Sequence, residues 1–183
     1  MRRRLTVASL LALLLAPAAA WAQDTGRIDA LLHALRVAPN AEVAAMIEQR
    51  VRQLWTEAGS PAAVLLEQRG VRDIGNHADR DALKALDAAL VIDPNFALAY
   101  AGRAEARLLA GDAGGAVADI EAALKHDPRL FIVFDTLSRI AEAQGDWQAA
   151  LLAWRRYAAA DPKGPGVQMR LRQLERKAVG VKS

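Results

Sequence analysis

Three histidines and three serines after residue 22 are the side chains that could take part in nucleophilic catalysis: His33, His77, His126, Ser60, Ser138 and Ser183. A serine nucleophile needs a histidine base within hydrogen-bond reach, and the base needs a third group to orient it. The histidines are widely separated along the chain, and no known array places them beside a serine. We therefore predict no catalytic residues and no enzyme, with a hydrolase as the remote alternative.

Metal and cofactor sites have no support in the sequence. The chain contains no Cys, no His-x-x-x-His pair and no Asp-rich calcium loop. The glycines of Asp112-Ala113-Gly114-Gly115 lack the spacing and the lysine of a phosphate-binding loop, so this segment is interpreted as a turn. We predict no metal, no cofactor and no small-molecule substrate.

The first 22 residues have the pattern of a secretory signal peptide. Three arginines at positions 2–4 precede an apolar run over 5–16, and Ala20 and Ala22 place small residues where a signal peptidase cleaves. The apolar run is shorter than the roughly 20 residues that span a bilayer. We expect export through the Sec route, cleavage after Ala22 and a periplasmic protein, with an uncleaved anchor as the alternative.

The positive charge of the chain comes from this leader. It holds three of the 24 basic residues and none of the 21 acidic ones, so the remainder is formally neutral although the whole chain carries +3. A basic surface is the electrostatic footprint of nucleic-acid binding. We therefore expect no nucleic-acid partner.

Three Asp-Pro dipeptides, Asp93-Pro94, Asp127-Pro128 and Asp161-Pro162, follow one another at intervals of 34 residues. Proline disfavours helical dihedral angles at the residue before it, so each dipeptide ends a helix. Between these markers apolar residues recur at three- and four-residue spacing, the pattern of amphipathic helices. A fixed period of about 34 residues with this pattern predicts an all-α stack of helix-turn-helix units.

The second and third units are each divided by a Gly-Asp break, at Gly111-Asp112 and Gly145-Asp146. Glycine can adopt the left-handed conformation that closes a helix, and aspartate is a favoured N-cap for the next one. These breaks occur together with small residues entering each second helix, bulky partners and closing prolines: Ala116, Ala150, Ile120, Trp154, Pro128 and Pro162. In this combination the chain resembles the tetratricopeptide-repeat (TPR) family.

The resemblance implies a right-handed α-solenoid of antiparallel helix pairs, with about nine helices after the leader. Three repeats are expected within residues 61–164, at about 63–96, 97–130 and 131–164. The first repeat departs from the pattern, because His77-Ala78 stands where Gly-Asp is expected. We therefore expect a longer or differently closed turn there, and Gly70 marks the position where its two helices pack most closely.

The repeats are flanked by helices that lack the repeat residues. Residues 23–60 are predicted to form an N-terminal capping pair, with Ser60 as N-cap and Pro61 as first residue of the next helix. Residues 165–183 are predicted to form a capping helix and tail. The basic residues of that helix either solvate it or contact an anionic partner or membrane surface: Arg170, Arg172, Arg176 and Lys177.

In the resembled family the first helix of each repeat lines a concave groove that binds other proteins. The resemblance places eleven residues in this groove: Glu67, Val71, Ile74, Leu98, Ala101, Glu105, Leu108, Ile132, Asp135, Arg139 and Glu142. Four acids face one base, and the lysine, arginine and asparagine set of the family's carboxylate-clamp members is absent. We predict a groove for an extended or helical protein segment with basic residues, unless these charges only solvate the surface.

Two functions of different class follow from this interpretation. The first is a periplasmic scaffold or adaptor that binds another protein or peptide segment through the groove. The second is a self-associating structural module of the cell envelope that uses its end helices and has no groove ligand. The residues do not identify the partner.

Overall fold

The computed structural model describes residues 26–180, and all the regular secondary structure in this range is helical. The helices are α1 over 26–36, α2 Ala41–Glu57, α3 Pro61–Gly75, α4 Asp79–Ile92, α5 Ala97–Leu109, α6 Ala113–His126, α7 Val133–Ala143, α8 Trp147–Ala160 and α9 Val167–Ala178. None of them has the length and hydropathy of a membrane span. The predicted signal peptide, residues 1–22, lies outside the described residues.

Three helix pairs form the body of the fold. Short turns join α3 to α4, α5 to α6 and α7 to α8, and the two helices of each pair pack side by side. Successive pairs pack through α4 on α5 and α6 on α7, and the first helices α3, α5 and α7 are also neighbours. This arrangement confirms the predicted all-α solenoid of helix pairs.

Close approach between the helices depends on glycine at the predicted position. A Cβ atom at Gly70 would lie 2.5 Å from Cγ of Leu86, and one at Gly102 would lie 3.0 Å from Cδ2 of the same leucine. Leu86 of α4 therefore packs against glycine positions of both α3 and α5, which joins the first pair to the second.

The turns within the second and third pairs have the geometry that their Gly-Asp sequences predict. Gly111 and Gly145 have φ angles of 84° and 75°, in the left-handed region. The side chains of Asp112 and Asp146 then accept hydrogen bonds from amides in the first turn of the next helix, at 2.8 and 2.9 Å. Each break thus ends one helix and caps the next.

The turn of the first pair has the same geometry without the same residues. His77 adopts a φ of 57°, and the amide of Ala78 donates to the carbonyl of Asp73 at 2.9 Å. The amide of Asp112 makes the corresponding bond to the carbonyl of Arg107 at 2.8 Å. The expectation of a longer or differently closed turn is therefore wrong, because the hydrogen bonds that close the helix impose the left-handed conformation on a histidine.

Correcting this turn should stabilise the protein. His77→Gly removes a side chain from the left-handed region, and Ala78→Asn supplies the missing N-cap. We expect the double variant to raise the free energy of unfolding by about 1–2 kcal/mol, after the entropic cost of glycine. Urea denaturation measures the change, with Gly111→Ala as the opposite substitution, which should destabilise. A double variant no more stable than the original chain would contradict this account.

The C-terminal helix α9 covers the last pair, as a cap does. Val167 and Leu174 are buried in one apolar cluster with Leu151 and Trp154 of α8. Lys177 lies over the ring of Trp147, 5.1 Å from its centroid. Together these contacts shield the end of the solenoid from water.

The N-terminal pair differs in position from the predicted end cap. Trp55 of α2 contacts the ring of Phe131, with centroids 5.7 Å apart, so α2 lies beside the N-terminal ends of α5 and α7. At the first pair, Leu65 of α3 and Val91 and Ile92 of α4 are left exposed. The buried apolar residues of α1 and α2 instead share one cluster with residues of α5, α6 and α7.

Candidate partner-binding site

The side of the solenoid formed by the first helices of the pairs contains a cavity of about 380 Å³. Residues of the first helices α3, α5 and α7 form most of its wall, and Trp154 and Tyr157 of α8 and Arg52 and Thr56 of α2 complete it. The equivalent positions of three successive repeats therefore face one shared space. A cleft of this volume lies within the range of sites that hold ligands.

Seven of the eleven predicted groove residues line this cavity: Glu67, Val71, Leu98, Ala101, Glu105, Ile132 and Asp135. Of the other four, Ile74 and Leu108 pack against apolar clusters between the helices. Arg139 and Glu142 belong to an ion-pair network beside the cavity. Their role in binding a partner stays a prediction.

Two of the Asp-Pro aspartates accept hydrogen bonds from α2 and from the residue that begins α3. Nε1 of Trp55 on α2 donates to Oδ2 of Asp127 at 3.2 Å, and the amide of Ser60 donates to Oδ2 of Asp93 at 2.9 Å. Ser60 occupies the predicted N-cap position of α3, but its side chain makes no capping hydrogen bond. Asp127 thus attaches α2 to the end of α6, and Asp93 attaches the start of α3 to the end of α4.

The third Asp-Pro aspartate, Asp161, also lies in the electrostatic field of α2. It is fully buried, and burial raises its pKa. The negative charge of Glu48 on α2 raises that pKa further, whereas the amides of Gly164 and Lys163 and the cation of Arg52 lower it. Helix α2 therefore lies near two of the Asp-Pro aspartates, Asp127 and Asp161.

Four aromatic rings continue from α2 into the last repeat. Phe131 lies 5.7 Å from Trp55 and 5.1 Å from Tyr157, and Tyr157 stacks on Trp154 at 4.7 Å. Burial raises the pKa of Tyr157 to about 12. Trp154 and Tyr157 form an aromatic wall at one side of the cavity, and Phe131 connects this wall to Trp55 of α2.

The acids of the predicted groove are largely paired within the chain. Arg139 contacts Glu105 at 3.0 Å and Asp135 at 3.9 Å, and Arg170 of α9 contacts Glu142 at 2.7 Å and Asp135 at 3.7 Å. Burial raises the pKa of Asp135, although Arg170 and Arg139 oppose the shift. The predicted balance of four acids against one base is therefore wrong, because α9 contributes a second cation.

Arg170 is half-buried, which the interpretation of α9 as a solvated cap missed. Its guanidinium lies over Trp154, 4.6 Å from the ring centroid, so it joins the aromatic wall to the groove acids. The sequence offers no periodic signal for this role. Arg172 and Arg176 of the same helix are exposed, as predicted.

Glu67 differs from the other acids of the cavity. It is buried on α3, and no hydrogen bond or salt bridge reaches its carboxyl group from any residue between 26 and 180. Burial raises the pKa of Glu67 to about 7. At neutral pH the carboxyl group is therefore divided between its protonated and ionised forms.

Two of the residues considered for catalysis, Ser138 and His126, make contacts that join or end helices. The Ser138 hydroxyl is buried and donates to the carbonyl of Ala150 at 3.1 Å, which ties α7 to α8. The ring of His126 stacks on Tyr100 at the end of α6, with centroids 5.4 Å apart. In the described part of the chain no hydrogen bond joins a histidine to a serine.

Comparison with known proteins agrees with this architecture. No protein-family model matches the chain. A TPR repeat-containing protein of Rhizobium etli is 28% identical over 154 residues, which cover 84% of this chain and 76% of that protein.

Solved structures of TPR domains share the fold. The first TPR of Spaghetti (RPAP3), bound to HSP90 peptide SRMEEVD, matches with a TM-score of 0.59 and 16% identity, over 66% of this chain and 95% of that one. The Sgt2 TPR domain from Aspergillus fumigatus matches with a TM-score of 0.58 and 24% identity, over 66% of this chain and 81% of that one. The TPR2AB-domain:pHSP90-complex of yeast Sti1 matches with a TM-score of 0.56 and 19% identity, over 87% of this chain and 64% of that one.

The chain has the fold of tetratricopeptide-repeat domains and is similar in sequence to a TPR repeat-containing protein. The Asp-Pro period and the Gly-Asp breaks predict this family, and the three helix pairs have its architecture.

Proposed function

We propose that the chain is a scaffold that binds a segment of another protein in its concave cavity. The observation that carries the proposal is the convergence of α3, α5 and α7 on one cavity, which contains seven of the residues predicted for partner binding. One of the solved TPR structures that share this fold is bound to an HSP90 peptide and another is a pHSP90 complex, so a peptide ligand is compatible with the fold.

The wall of the cavity suits a peptide segment. Val71, Leu98 and Ile132 supply apolar surface, and Glu105 and Asp135 supply polar groups that can orient a chain. Sites that bind ligands combine such apolar walls with a few polar groups. Helix α2 closes one side through Arg52 and Thr56, so the segment enters where α2 leaves the first helices uncovered.

Site-specific photo-crosslinking in cells tests this proposal. A photo-reactive residue at Val71, which lines the cavity and is 48% exposed, should capture a defined partner. The matched control is Val91 on α4, which is 82% exposed and lies outside the cavity lining. Capture of the same proteins from both positions, or from Val91 alone, would contradict binding in the cavity.

Self-association is a second candidate, and the exposed apolar residues of the first pair favour it. Leu65, at the start of α3, is 67% exposed, and the antiparallel pair brings it to the same end as Val91 and Ile92 of α4. Such a patch can pair with a second copy of the chain. A monomeric mass by light scattering at high protein concentration would eliminate this candidate.

We further propose that the scaffold acts in the periplasm, because residues 1–22 have the features of a cleaved signal peptide. Mass spectrometry of the protein from a periplasmic fraction should give a chain that starts at Gln23. A full-length chain confined to the cytosolic fraction would contradict export.

A further inference from the structure

Glu67 is the one carboxyl group in the wall of the cavity that has no cation partner in residues 26–180. It is 5% exposed, and its pKa rises to about 7 through burial alone, with no contribution from a neighbouring charge. Burial of a carboxyl group disfavours its charged form. A carboxyl group that lies in a cleft, has its pKa raised by burial and has no cation partner in residues 26–180 is a candidate for function.

The other carboxylates in the cavity wall already have their counter-charges. Glu105 is paired with Arg139 and Asp135 with both Arg139 and Arg170. Arg52, the cation that α2 brings to the cavity, donates to Glu48 at 2.7 Å. Within residues 26–180 the other carboxylates of the cavity wall are therefore neutralised, and Glu67 has no cation partner.

The space beside Glu67 suits the stem of a long basic side chain. Val71, Leu98 and Ala101 share the cavity wall with Glu67 and present apolar surface. Lysine and arginine pack their methylene groups along such surface while the head group reaches a polar partner. The volume of about 380 Å³ leaves room for such a side chain.

We infer that Glu67 anchors a basic side chain of the partner, a lysine or an arginine whose head group enters the cavity and forms a salt bridge with the carboxylate. This inference rests on the proposed function, since the side chain belongs to the segment that lies in the concave face. The ligand supplies the counter-charge that residues 26–180 do not provide. A charge-assisted hydrogen bond in a site screened from water then selects partners with a basic residue at one position.

Three blocked tripeptides, Ala-Lys-Ala, Ala-Arg-Ala and Ala-Gln-Ala, test the anchor by NMR titration of the full chain. The amide signals of Val71 and Leu98 should shift saturably with the lysine or the arginine peptide. The glutamine peptide should bind at least about tenfold more weakly, because it cannot form the charge-assisted bond. The comparison of lysine with arginine shows whether the site takes an ammonium or a guanidinium group.

Glu67→Gln should weaken binding of the basic peptides by the same factor of at least about ten. Glutamine has nearly the shape of the protonated side chain, so an unchanged thermal midpoint will show that the variant is folded. Glu121→Gln makes the same change in charge on the exposed face of α6 and should leave binding unchanged.

The inference that Glu67 binds a basic side chain would be overturned by any of three results. These are equal binding of all three peptides, no saturable shift, or undiminished binding of the basic peptides by Glu67→Gln. Failure of the proposed function has a different signature. If a photo-reactive residue at Val71 still captures its partner in the Glu67→Gln background, the cavity binds a partner without this anchor. If Val71 captures nothing in the original chain, the proposed function itself fails.

Discussion

Replacing Asp119 by asparagine should lower the free energy of unfolding by about 3 kcal/mol. Asp119 of α6 is buried, and it accepts hydrogen bonds from Arg103 through Nε and Nη2 at 2.9 and 2.7 Å. Nη1 of Arg107 lies 2.9 Å from its Oδ2. Asparagine removes the negative charge that two largely buried guanidinium groups share, so both would lose their main counter-charge.

Urea denaturation of Asp119→Asn measures this loss. Glu121→Gln removes one charge from an exposed position of the same helix and should change stability by less than about 0.5 kcal/mol. Arg103 also pairs with Asp87 of α4 at 2.7 Å, which keeps part of the network in the variant. An Asp119→Asn variant as stable as the control would show that these ion pairs do not hold α5 to α6.

Replacing Trp55 by alanine should release α2 from the side of the solenoid. The indole ring is buried, packs on Phe131 and donates to Asp127. Truncation of a buried tryptophan costs about 3 kcal/mol or more, and here the cost falls on the docking of α2. We expect the amides of α2 to exchange with solvent about a hundredfold faster, while those of α5 and α6 keep their protection.

Hydrogen exchange resolved by residue tests this release, with Met46→Ala as the control because Met46 is exposed on the same helix. Since Arg52 and Thr56 form part of the cavity wall, release of α2 should also increase partner capture from Val71. Unchanged exchange in α2 would mean that other contacts hold the helix. Loss of protection throughout the chain would mean that α2 is part of the cooperative core.

The repeat architecture is predictable from the sequence because its determinants are local and periodic. The Asp-Pro stops and the Gly-Asp turns act within a few residues of where they stand, and the close-packing Gly70 contacts Leu86 of the next helix in the same repeat. Even the His77 turn follows the period, since the backbone hydrogen bonds of the helix end fix its conformation more strongly than the side chain does.

The composition of the site is not predictable in the same way. Trp55 donates a hydrogen bond to Asp127, 72 residues away in the sequence, and Arg170 donates one to Glu142, 28 residues away. Neither separation is a multiple of the 34-residue period, so extension of the repeat pattern cannot locate these partners. The helices outside the repeats therefore help to decide which groove acids are neutralised, and only the structure shows that Glu67 has no cation partner among the described residues.

Binding in the concave cavity can be tested most directly by mapping the partner's footprint. Hydrogen exchange of the chain, alone and in complex with the partner captured from Val71, shows which amides the partner protects. Binding in the cavity predicts added protection on α3, α5 and α7, with α4 and α6 unchanged. Protection confined to the exposed end of α3 and α4, or to the outer helices, would contradict it.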